Sequence, residues 1–329
     1  MNLKNTDIAI VILIILGIVI YQLYIPLDSK SPQIKVIEIS KGMNAKGIAH
    51  LLKEEGLIKN GLAFRVLAKV KGVEDRLQAG EYELSSSMNL SRILSRIKKG
   101  ETLAHSFTIP EGYNIRQIAQ ILEEKGLAEK ERFIELTKDS KLISQFDIPA
   151  KSLEGYLFPE TYRVSKGMNE EEIIELMVSQ FNKAVSEEDR KGAQELGFTF
   201  HQIIILASIV EKETSAPEER ALISAVFHNR LKAKRPLQAD PTVIYALGEA
   251  FDGDLKKEHL RVDSPYNTYR YRGLPPGPIG NPGRKAIQAA LYPADVNYLY
   301  FVSRNDGTHA FSSSLEEHNR AVWKYQKRQ

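Results

Sequence analysis

The chain has 329 residues, enough for two compact domains with a buried core. Hydrophobic residues make up 43% and charged ones 26%, which excludes a disordered or collagen-like chain. The 45 Lys and Arg against 42 Asp and Glu leave a charge of +3 with no long basic run, so nothing calls for nucleic acid as a partner; the absence of Cys excludes thiol nucleophiles, disulfide scaffolds and Cys-ligated metal.

Residues 8–25 read IAIVILIILGIVIYQLYI, 18 residues without a charge. As a helix they would span ~27 Å, close to the hydrocarbon thickness of a bilayer. Tyr21 and Tyr24 suit an interfacial aromatic belt, and Pro26 stops the helix. The segment before Pro26 lacks the small residues that signal-peptide cleavage needs. The expectation is a single N-terminal transmembrane helix in the cytoplasmic membrane. Residues 1–7 would form a short cytoplasmic tail, 26–33 a polar linker, and the remainder would lie outside.

An internal repeat follows. KGMNAKGIAHLLKEEGL at 41–57 matches EGYNIRQIAQILEEKGL at 111–127 with a constant offset of 70. Gly42/Gly112, Asn44/Asn114, Ile48/Ile118, Ala49/Ala119, Leu52/Leu122, Gly56/Gly126 and Leu57/Leu127 are identical, and each copy follows a short β-like stretch. Asn44 and Asn114 read as N-caps, and Gly56 and Gly126 as helix stops. This predicts an α+β region over 34–150 built on strand–turn–helix units. Its G…IA..L…GL pattern resembles the LysM-like fold used for glycan attachment, and a purely structural spacer is the competing reading. SKGMN recurs at 165–169, where Asn169 and three following Glu open another helix.

From residue 151 to 329 the sequence changes to helices separated by Pro-, Gly- and Tyr-rich loops, predicting a mixed α+β catalytic domain. HQIIILASIVEKET at 201–214 is apolar around its circumference, so the helix should be buried. At 100° per residue Glu213 falls within about 20° of Leu206 and about 40° of Ile209, while Glu211 points about 160° away from Glu213. A carboxyl emerging along an apolar line is desolvated, which raises its pKa toward that of a general acid at neutral pH. A solvated helix end is the alternative. Ser215-Ala216-Pro217-Glu218 reads as a capping box that starts the next helix at once, leaving Glu213 at a corner. Asp240 is expected to cap a short helix beginning with Pro241, and Asn281-Pro282 the helix RKAIQAAL. The loop at 264–283 carries Tyr266, Asn267, Tyr269 and Tyr271, rings and amides that suit sugar binding.

ASIVEKET, VFHNRL, LQADPTVIYALG, SPYNTY, GLPPGPIGNPG, YLYFVSRNDGTHAFS and EEHNRAV occur in this order, and EGYLFPETY at 154–162 precedes them. Together they resemble the YceG-like (MltG) family of endolytic murein transglycosylases over nearly the whole chain. The resemblance implies that Glu213, the second Glu of EKET, is the catalytic acid/base. It would act on MurNAc–GlcNAc β-1,4 bonds within glycan strands to leave 1,6-anhydroMurNAc ends, terminating nascent strands beside peptidoglycan synthases (penicillin-binding proteins). His228 stands where the family often has Ile or Leu, and Ala239 where Thr is common. Glu211, Gln238, Asp240, Asn267, Tyr269 and Tyr162 are the expected substrate-binding residues. No cofactor and no metal is expected: there is no HExxH, His228 stands alone, and His309 and His318 are nine apart across a strand and a helix. Two alternatives remain at this point, a hydrolytic muramidase with a second carboxylate such as Glu211 or Asp240, and a membrane-tethered glycan-binding scaffold without catalysis.

Overall fold

The structure is a computed structural model that describes residues 25–28, 31–214 and 216–327. The predicted tail and nearly all of the predicted membrane span, as well as Ser215 of the predicted capping box, lie outside the described residues. Among the described residues no single helix is long and apolar enough to cross a membrane. The fold is mixed α+β, with helices and small two-stranded sheets.

The chain divides into two compact units, one of residues 1–106 and 163–168, the other of residues 107–162 and 169–329. The first contains β1 (Ile34–Ile39), α1 (Ala45–Glu54), α2 (Gly61–Val70), β2 (Gly80–Ser85) and α3 (Leu90–Lys99). β1 and β2 pair antiparallel with Ile37 opposite Tyr82. Ile48 and Leu52 of α1, Phe64 of α2, Tyr82 and Leu84 of β2 and Ile93 and Ile97 of α3 close one core. α1 begins because the Asn44 side chain accepts from the Gly47 amide, and α3 ends because Gly100 turns into the left-handed region at φ 65°.

β3 (Ala104–Thr108) pairs with β4 (Thr161–Ser165), and the division between the units falls within both strands. The compact units therefore part near residue 106, whereas the sequence placed the change of character at 150. The reason lies in the second repeat copy, α4 (Ile115–Glu124). Its first amide donates to the buried Glu154 carboxyl at 3.1 Å, and the turn before it exchanges backbone hydrogen bonds with Asn281. The two repeat copies thus belong to different units. Both keep the same local build: Asn114 caps the Gln117 amide in a capping box, and Ile118, Ala119 and Leu122 are fully buried.

The second unit continues with α5 (Lys130–Leu136), α6 (Ser140–Ser144), α7 (Glu170–Ala184), α8 (Glu187–Glu195), α9 (Phe200–Glu213), α10 (Arg220–Lys232), α11 (Asp240–Leu247), α12 (Arg284–Leu291), the hairpin β5 (Tyr300–Ser303) and β6 (His309–Ser312), and α13 (Leu315–Gln326). Every residue of α9 from Ile203 to Val210 is buried, as its apolar circumference requires, and Tyr156, Phe181, Phe227, Ile279 and Ile287 pack in the same core. Asn169 caps α7 in a capping box with Glu172, as the recurring SKGMN predicts. The predicted caps at 240 and 281 differ. Asp240 is itself the first residue of α11, with Ala239 before it, and α12 starts from Gly283 because the Asn281 amide is committed elsewhere.

Asp189 joins two helices of this unit. It closes the Ser186 capping box of α8 and takes hydrogen bonds from Arg284 (2.5 Å) and Gln288 (2.8 Å) of α12. Burial pushes its pKa up, but the bonds from Arg284 and Ser186 outweigh this and hold it below the usual carboxylate range. Asp189→Ala should destabilise the protein by about 2 kcal/mol, since Arg284 is partly exposed and the lost pair is only half desolvated. Because the folded pKa is depressed, the contribution is present above the unfolded value of about 4 and disappears as pH falls through the folded one. Urea melts of the two proteins should therefore differ at pH 7 and converge in acid.

Candidate active site

α9 ends at Glu213 because Thr214 swings to extended backbone (φ −147°, ψ 140°), and its hydroxyl then accepts from the Ala216 amide at 3.0 Å. A short 3-10 turn, Pro217–Glu219, leads directly into α10. Glu213 is half-buried at this corner, in a cleft of about 360 Å³ lined by Glu111, Glu211, Lys212, Glu213, Thr214 and Arg220. Burial first and the charge of Asp240 second raise its pKa to about 8, against the opposing pull of Arg230. At neutral pH Glu213 holds its proton. Such a group can donate a proton to a leaving oxygen and, once ionised, accept one back.

Asp240 and Tyr269 stand beside this acid. The Tyr269 hydroxyl donates to Asp240 at 2.5 Å, and burial together with Asp240 drives the phenol pKa well up. Tyr269 is therefore a permanent donor that steadies the Asp240 charge near Glu213. The two residues come together because the segment before α11 is fixed to the Tyr-rich loop. The Gln238 and Ala239 amides donate to Thr268, whose hydroxyl pairs with that of Thr242 at 2.8 Å. Gln238 adopts φ 52°, costly for a residue with a Cβ, and its exposed side chain is held by this frame. Asn267 is fully buried and supports the loop from within, donating to the Leu260 and Val262 carbonyls and accepting from the Tyr269 amide. Its amide holds Tyr269 in place and has no donor left for a sugar.

Glu211, on the opposite side of the helix end, is locked in place. Its side chain is 4% exposed and accepts from Arg220 at 2.9 Å and from the Gly283 amide at 2.9 Å. Burial raises its pKa, while Gly283 and Arg220 pull it back. Glu211, expected among the substrate-binding residues, thus has both carboxylate oxygens engaged by donors of the protein. Tyr162, expected among the substrate-binding residues, is buried: its ring stacks on Phe107 with centroids 5.2 Å apart and its hydroxyl donates to the Phe158 carbonyl, so both are engaged in the core. The ring nitrogen of His228 donates to the Ala290 carbonyl at 2.9 Å, and His309 pairs with Glu219 at 2.6 Å.

Three contributors escaped the sequence reading. Arg230 is buried, with its guanidinium donating to the Leu237 and Leu299 carbonyls, and it sets the segment that carries Asp240 while opposing the rise of the Glu213 pKa. Glu154 is 5% exposed and bonded to the Ile115 amide, Tyr245 and Asn281, with its pKa raised by burial to about 7. Asn281 ties its side chain to Leu157, Tyr113 and Glu154. An Arg among apolar residues in VFHNRL, and Asn between two glycines and a proline in GNPG, were the available signals.

The profile described as the YceG-like family matches residues 37–324. The chain belongs to the YceG-like family. An "Endolytic murein transglycosylase" of Bacillus subtilis is 37% identical to this YceG-like chain over 91% of it and 87% of the relative. One from Streptococcus pneumoniae is 33% identical over 91% of the chain, which spans only 59% of that longer relative. A crystal structure described as a yceG-like protein of Listeria monocytogenes aligns with a TM-score of 0.61 at 34% identity, covering 87% of this chain and 98% of that one.

The assigned electrostatics give a direct expectation for the YceG-like site. Asp240→Asn removes the repulsion that helps to keep Glu213 protonated, so the Glu213 pKa should fall from about 8. A carbon-13 titration of protein labelled at glutamate carboxyls would read this, and an unmoved Glu213 would refute the coupling.

Proposed function

We propose that this protein is a peptidoglycan lytic transglycosylase that cleaves MurNAc-β-1,4-GlcNAc bonds within glycan strands. The observation that carries the proposal is one carboxyl, Glu213, kept protonated at the mouth of a cleft by burial and by Asp240. The names of the relatives support murein as the substrate. Glu213 donates its proton to the glycosidic oxygen as the bond to the MurNAc anomeric carbon breaks. The resulting carboxylate takes the proton from the C6 hydroxyl of the same MurNAc, whose oxygen closes a 1,6-anhydro ring. The nucleophile is already attached to the substrate, so effective molarity replaces a positioned water. A hydrolase would need a second carboxylate free to activate water. Glu211 is engaged by Arg220 and Gly283, and Asp240 by Tyr269, which favours the transglycosylase over the muramidase.

Glu213→Gln keeps the size and removes the proton, so activity on isolated glycan strands should fall by at least ~100-fold. Mass analysis of wild-type products should show internal fragments ending in 1,6-anhydroMurNAc. Reducing MurNAc ends would instead establish hydrolysis, and no cleavage at all would leave the scaffold. The same variant carries a stability signature. A folded pKa raised to about 8 means that wild-type stability is fullest below the unfolded carboxyl value and declines as pH rises through the folded one. Glu213→Gln should therefore gain in melting temperature relative to wild type between pH 5 and 9.

The uncharged run at 8–25 supports a single-pass anchor in the cytoplasmic membrane with the catalytic unit outside, where nascent strands and their synthases meet it. The LysM-like resemblance of the first repeat copy supports glycan attachment by the first unit. A tag at the C-terminus of the full chain should be removed by protease added to intact spheroplasts; a protected tag would refute this orientation.

A further inference from the structure

A second cleft of the catalytic unit, about 420 Å³, has no role in the proton transfers. Arg116, Lys138 and Lys212 line it, together with Tyr245, Glu249 and Phe251. It adjoins the acid along the chain at two places. Lys212, next to Glu213, lines both clefts, and Pro241 follows Asp240. Among the described residues none of the three cations forms an ion pair with a carboxylate.

The backbone is shaped around two of these cations. Gly112 has φ 77° and no Cβ, which lets the Lys212 stem lie across the turn that precedes α4. Gly248 has φ 57°, and a Cβ there would collide with the Arg116 guanidinium. Behind them the buried Glu154 is bonded to the Ile115 amide, Tyr245 and Asn281, and it meets Arg116 through charge with no hydrogen bond between them. Glu249 is the one acid lining the cleft besides Glu154. Sugar hydroxyls need no cations. Three of them in a cleft that shares Lys212 with the cleft of the acid suit an anionic group carried by the strand.

We propose that this cleft binds the carboxylates of the peptide attached to the MurNAc residue at the cleavage site, with Arg116 and Lys138 as the determinants. This rests on the murein reading above. Arg116 offers a planar fork for a carboxylate, and Lys138 a mobile point charge. The site selects strands that still carry their peptides, and it acts by binding, not by chemistry.

The test uses the full-length protein and two substrates, peptide-bearing glycan strands and the same strands with their carboxylates capped as amides. Arg116→Gln and Lys138→Gln should each raise KM on the uncapped strands about 10-fold with kcat nearly unchanged. Capping should cost the wild type a similar factor, and the two losses should not multiply in the variants. Equal losses by a variant on both substrates, or a wild type indifferent to capping, would overturn the proposal while leaving the transglycosylase intact. Failure of the wild type to cleave either substrate would overturn both. Should Arg116→Gln fail to fold, Lys138→Gln, an exposed residue just beyond α5, decides the matter alone.

Discussion

The catalytic unit is organised around one buried amide. Asn281 receives the Leu157 amide on its oxygen and donates from its nitrogen to the Tyr113 carbonyl and to Glu154, while its backbone bonds to Gly112 and Tyr113. Three stretches far apart in sequence, the turn before α4, the LFP segment and the GNPG loop, therefore meet at a single side chain. Leaving any of these buried groups unpaired would cost its full desolvation. Gly280 and Gly283 flank the clasp because a Cβ at either would strike Gly112 or Glu111. The same loop supplies the Gly283 amide that fixes Glu211 and the Ile279 amide that bonds to Ser208 in the middle of α9. The end of α9, and with it the acid, is positioned through this clasp.

On that frame the chemistry follows from opposing effects on two acids two residues apart. Glu211 and Glu213 both lose water, yet Glu211 meets a guanidinium and an amide, whereas Glu213 meets the negative charge of Asp240, which outweighs the opposing charge of Arg230. One is thereby a tie and the other an acid that keeps its proton at neutral pH. Tyr269 and Asn267 act on the acid indirectly, the first by holding Asp240 and the second by holding Tyr269.

Much of this was legible in the sequence because it is local. The helix ending at Glu213, the caps at Asn44, Asn114 and Asn169, and the opposed directions of Glu211 and Glu213 all follow from period and propensity. What escaped was long-range. Tyr162 is expected to bind substrate until Phe107 and the Phe158 carbonyl engage it, and Asn281 reads as a cap until two other segments reach it. Arg230 could not be assigned because its partners, the carbonyls of Leu237 and Leu299, are set by how the loops fold back.

The two repeat copies form an experiment in selection that the molecule has performed on itself. They sit in different units and face different cores, yet both carry the same Asn cap, the same turn glycine (φ 84° and 77°) and the same Ile, Ala and Leu on the inward face. What has diverged is what looks outward, and there the second copy carries the Arg116 fork against Gly248 where the first has Lys46. If the copies descend from one duplicated segment, the shared letters record what a strand–turn–helix needs in any surroundings, and the changed ones record what altered when one copy came to line a cleft.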